Sequence, residues 1–104
     1  MDSKTVFELR NEAKDLSGVE KLNKLNKALG IARNLYSEEP YDEWNQKAFA
    51  WVLIDLCKSY IADKNLNQAG ICFKELKTID FQGEEDDIIK NQKNFLRPKI
   101  DTNY

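Results

Sequence analysis

Two cysteines, a run of four acids and no histidine set the limits of the chemistry open to this 104-residue chain. Without histidine the commonest general base and a common metal ligand are missing. Cys57 and Cys72 alone cannot make a zinc site of the usual kind. A serine or cysteine nucleophile would lack its usual activating partner. No G-x-x-x-x-G-K-S/T loop and no G-x-G-x-x-G turn is present to cradle a phosphate. Glu84, Glu85, Asp86 and Asp87 could in principle bind a divalent cation. They do not follow EF-hand spacing, which needs ligands at alternate positions and a distant glutamate. Four acids at the start of a helix instead complement the positive end of its dipole. The expectation is a chain with no catalytic residue, no metal and no cofactor.

Composition narrows the class further. The chain is 41% hydrophobic and 33% charged, with four glycines and two prolines. That describes a globular domain with enough apolar content for a core, and it argues against a loop-rich or all-β fold. The net charge of −2 gives no overall basic surface for displacing counterions from nucleic acid, so a nucleic-acid partner is disfavoured. Met1-Asp2-Ser3-Lys4 leads into an amphipathic stretch rather than an apolar signal region. No apolar run is long enough to span a bilayer. Two thiols inside helical patterns read as reduced and buried, which places the expected location in the cytoplasm.

The elements that must position any functional group are helices, with apolar residues spaced by three and four. The spacing predicts a first helix over 4–16 on Val6, Leu9, Ala13 and Leu16. Ser17-Gly18 breaks it, Gly18 suiting a left-handed stop and Ser17 a cap for the next helix. A second helix is expected over 19–37, ended by Glu38-Glu39-Pro40. Gly30 inside it is expected to mark a close helix crossing. Asp42 is a good N-cap for a third helix reaching Ala62, and Leu66 to Ile79 forms a fourth. A fifth starts at the acids 84–87 and ends at Pro98. The fold class is therefore all-α, about five antiparallel helices in one domain over 1–97, with 98–104 a flexible tail. The tail carries no cap or closing helix, as in the N-terminal part of a longer protein.

Between Leu53 and Phe81 the chain resembles one tetratricopeptide repeat. That family carries the pattern W-x2-L-G-x2-Y, then A-x3-F, then P, in about 34 residues. Leu53 stands where the family has Trp, Leu56 and Tyr60 match, and Cys57 replaces the small glycine. Ala69 and Phe73 match, while Phe81 stands where the family has Pro. A weaker second half-repeat is visible in Ala28, Ala32, Leu35 and Pro40. Ala28 and Ala69 are 41 residues apart, longer than the family's period. The excess falls around Trp44 to Ala50, at the front of the third helix. The resemblance implies stacked helical hairpins and a non-enzymatic scaffold that binds another protein.

The third helix is apolar nearly all round from Ala48 to Cys57, so it is either enclosed or offers a face to something else. The repeat alignment turns Leu53, Leu56, Cys57 and Tyr60 toward the paired helix. It leaves Trp51, Ile54, Lys58 and Ile61 on the face that lines the ligand groove in the family. These four are the candidate partner-binding residues, for an apolar peptide or helix or for a homodimer contact, with Trp51 the anchor. The enclosed alternative makes the same helix the centre of the bundle. Lys21, Lys24, Lys27 and Arg33 make one side of the second helix basic. That side is a solvated surface or a contact for an acidic partner or a phosphate backbone.

Overall fold

The structure, a computed structural model, describes residues 2–81 and 86–101. Five helices follow one another: α1 (Ser3–Lys14), α2 (Gly18–Glu38), α3 (Glu43–Ala62), α4 (Leu66–Lys77) and α5 (Asp87–Asp101). No strand occurs among the described residues, so the all-α expectation holds. Consecutive helices pack against each other as hairpins, and α1, α3 and α5 also pack side by side. In that row α3 lies between α1 and α5, while α2 packs on α1 and α3, and α4 on α3 and α5. The helix α3 touches all four others, which accounts for its lack of a polar face: Ala48, Val52, Leu53, Ile54, Leu56 and Cys57 are all sealed.

The connections are fixed by local chemistry. Asp2 and Asp42 cap α1 and α3, each carboxylate accepting from the backbone N–H three residues on (3.3 and 3.0 Å). Gly18 takes φ +59°, the left-handed turn expected of it. Ser17 sits at the N-cap of α2 in extended conformation, but its hydroxyl makes no cap bond. The α3–α4 turn uses Lys64 at φ 59°. Lys64 N–H donates to Ile61 carbonyl at 2.9 Å and Asn65 N–H to Tyr60 carbonyl at 2.8 Å, a paired C-terminal stop. Asn65 then caps α4 by accepting from Gln68 N–H (3.2 Å).

Two polar residues are buried at the α2–α3 joint. Asn45 Nδ2 donates to the carbonyls of Leu35 (3.2 Å) and Glu39 (3.4 Å), and Gln46 Nε2 to that of Pro40 (2.8 Å). They give the carbonyls at and just beyond the end of α2 a side-chain donor, in addition to the backbone bonds that Leu35 accepts from Glu39 N–H (2.9 Å) and Glu39 from Asp42 N–H (3.2 Å). Side chains link α2 to α4: the Arg33 guanidinium meets Glu75 through two bonds of 2.8 Å. Tyr36 hydroxyl accepts from Asp80 N–H at 3.0 Å.

Three expectations need correction. Pro98 does not end α5, which runs to Asp101 with the proline inside its last turn. Ile100 beyond it is only 1% exposed, so core burial holds the final turn against the lost N–H donor. The proposed tail over 98–104 is thus helical as far as 101, and 102–104 lie outside the described residues. Gly30 marks no close crossing, because a Cβ there would meet nothing within 4 Å. Of the four acids, Asp87 opens α5 and Asp86 Oδ1 accepts from Ile88 N–H (2.8 Å), while Glu84 and Glu85 lie outside the described residues.

Candidate functional site: a lysine-rimmed groove between α1, α2 and α3

The C-terminal ends of α1 and α3 and the N-terminal end of α2 enclose a groove of about 300 Å³. Its apolar lining comes from Ala13, Leu16, Leu25 and Ala62. Lys14, Lys21 and Lys58, one from each helix, line it as well. No ion pair engages these three ammonium groups among the described residues. Two acids share the groove, Asp55 and Asp63. Asp55 is already committed: its two oxygens take the Arg10 guanidinium at 2.6 and 3.2 Å. The uncapped start of α2, at Ser17 and Gly18, adds the positive end of a helix dipole, while the nearby ends of α1 and α3 carry negative ends that suit Lys14 and Lys58. The wall is therefore apolar below and mainly cationic above.

The sequence-derived candidates are distributed differently from one another. Lys58 is exposed and lines the groove. Trp51 is half-buried one helical stretch away, with the Arg10 guanidinium carbon 5.0 Å from its ring centre. Arg10 thus bridges Trp51 to the groove wall, pairing with Asp55 and covering the indole at once. Ile61 is half-buried against the core. Ile54 is 0% exposed and offers no surface to a partner, because α3 has neighbours on every side. Sequence reasoning had no signal for Arg10, Lys14 and Asp55, since they join the site only through the packing of α1 on α3. The basic side of α2 is divided: Lys21 faces the groove, Lys24 pairs with Glu12 at 3.3 Å, and Arg33 is held by Glu75.

The thiols have no nucleophilic environment. Cys57 is sealed, its Sγ 3.6 Å from the Ala69 carbonyl, and burial with the nearby Cys72 pushes its pKa up to about 12. Cys72 is raised to about 11, chiefly by burial and then by the Glu75 carboxylate, against the opposing pull of Arg33. Both are free. No group of three or more His, Cys, Asp or Glu placed to hold a metal ion occurs among the described residues. No helix described is long and apolar enough to cross a membrane. No protein-family model matches the chain, and no curated protein or solved structure is significantly similar to it.

Proposed function

We propose that this chain is a non-enzymatic protein-binding module of tetratricopeptide-like hairpins, and that the α1–α2–α3 groove receives a segment of its partner. The packing order supports the repeat reading: each helix packs on the next, and the odd-numbered helices α1, α3 and α5 also pack in a row. The close approach of Cys57 to Ala69 also supports it, since a small residue at that place lets the paired helix come near. The observation that carries the binding role is the convergence of Lys14, Lys21 and Lys58 on one apolar-lined groove. None of the three ammonium groups is held in an ion pair among the described residues, so all three remain available to carboxylates of a partner. A segment with apolar side chains for the floor and carboxylates for the rim covers the exposed apolar area and pairs these ammonium groups.

Selection from a displayed peptide library tests this reading. Enriched sequences should combine leucine-like and acidic residues, and the Lys21→Glu/Lys58→Glu variant should lose them while keeping its helical circular dichroism. Enriched sequences without acidic residues, or equal capture by the variant, would contradict the proposed role.

A further inference from the structure

A second surface of opposite character lies at the other end of the first hairpin. Trp44, in the first turn of α3, is 61% exposed, and Tyr41 just before it is 75% exposed. Large aromatic side chains left in water three residues apart in sequence are informative in a way that single exposed aliphatic residues are not. The Trp44 ring is held in place by Phe7 of α1, edge-on at a centroid distance of 6.2 Å and an interplanar angle of 89°. Beneath it opens a cavity of about 320 Å³ whose charged lining is four carboxylates: Asp2, Glu38, Glu39 and Asp42. No cation lines it among the described residues.

Two of the four carboxylates have a fixed place. Asp2 and Asp42 are fixed by their capping bonds to Thr5 and Asn45 N–H. The Asn45 amide grips the Leu35 and Glu39 carbonyls at the rim, and Asp42 N–H donates to Glu39 carbonyl at 3.2 Å. Glu38 and Glu39 make no ion pair among the described residues. Trp44 already accepts one cation: Lys47 Nζ lies 5.1 Å from its ring centre and is itself neutralised by Glu43 at 3.0 Å. The indole is therefore placed as a cation-stacking platform beside an unneutralised acidic cup.

The geometry points to this acidic, aromatic end as a docking surface for an arginine-bearing basic segment of a partner protein. A guanidinium entering the cup meets several carboxylates at once, and its aliphatic stem lies along Trp44. Charge complementarity selects the occupant: an apolar or acidic segment would bury the four carboxylates unpaired. This surface shares no residue with the lysine-rimmed groove, so the two stand or fall separately.

Fluorescence anisotropy with a short labelled arginine-rich peptide at low ionic strength is the test, with the same peptide carrying citrulline for arginine as control. The arginine peptide should bind saturably, and the citrulline peptide should not. Trp44→Ala and Glu38→Gln/Glu39→Gln should each weaken binding by at least about tenfold. Glu8→Gln/Glu20→Gln removes the same charge elsewhere and should leave binding unchanged, with circular dichroism confirming the fold of every variant. Failure of the arginine peptide to bind overturns the proposal. So does equal weakening by both glutamate pairs, which would mean attraction to net charge alone.

Discussion

Arg10 and Asp55, 45 residues apart in sequence, meet in a two-bond pair that fastens α1 to α3 directly beside the groove. Their side chains are 17% and 23% exposed, so the pair lies between a solvated bridge and a buried one. Fork-to-carboxylate geometry makes the stronger kind of ion pair. A double-mutant cycle with Arg10→Ala and Asp55→Ala should give a coupling of about 1–2 kcal/mol by urea denaturation. A coupling near zero would mean that solvent and side-chain entropy cancel the pair, as they do for most surface bridges.

The joint between the hairpins should be as sensitive as an apolar core position. Asn45 reaches two backbone carbonyls from a buried site. Asn45→Ala should destabilise by about 1–2 kcal/mol, because the amide's bonds to both carbonyls are lost, although each carbonyl keeps one backbone donor, Glu39 N–H for Leu35 and Asp42 N–H for Glu39. Equilibrium unfolding measures this, and a neutral result would show that water replaces the amide without loss.

Two glycines should respond in opposite directions. Gly30 is exposed in the middle of α2 with open space around its Cα, so Gly30→Ala should stabilise by about 0.5–1 kcal/mol. Gly18 has the same open space but φ +59°, so Gly18→Ala should destabilise by about 1 kcal/mol. Thermal melts of the two variants check both signs together.

The thiols predict a slow reagent response and an alkaline weakness. In native protein Cys57 should label more slowly than Cys72, being fully sealed and the more strongly raised in pKa. Well below pH 9 both thiols are protonated in the folded and unfolded chain and contribute no pH dependence. As pH rises from about 9 toward 11–12, the unfolded chain releases these protons first, so stability falls. The Cys57→Ala/Cys72→Ala variant should lose less of its own stability over that window than the wild type loses. Equal slopes would show that the thiols do not contribute.

Much of the architecture was legible because helices write their buried face at intervals of three and four. Leu56, Ala69 and Phe73, which match the repeat pattern, are sealed in the core. Asp42 and Gly18 announced their turns by side-chain and backbone chemistry that acts within a few residues. Long-range balance was hidden. Pro98 reads locally as a helix stop, and only the burial of Ile100 against the rest of the fold carries α5 past it. On α3, apolar on nearly every side, there was no polar face to show the orientation. Ile54 and Lys58 therefore looked equivalent until the neighbours of the helix were known. Lys14, Lys21 and Lys58 sit in three separate helices, and nothing in their spacing could have gathered them into one groove.

The most direct measurement of the proposed binding role is a 15N NMR titration with a short peptide that combines leucine and glutamate. Saturable amide shifts are predicted for Ala13 to Lys21 and Lys58 to Asp63, the segments that line the groove. The Lys21→Glu/Lys58→Glu variant should show them no longer, with the rest of its spectrum preserved. Shifts centred elsewhere on the molecule, no saturable shift at all, or the same shifts in the variant would contradict the groove as the partner site.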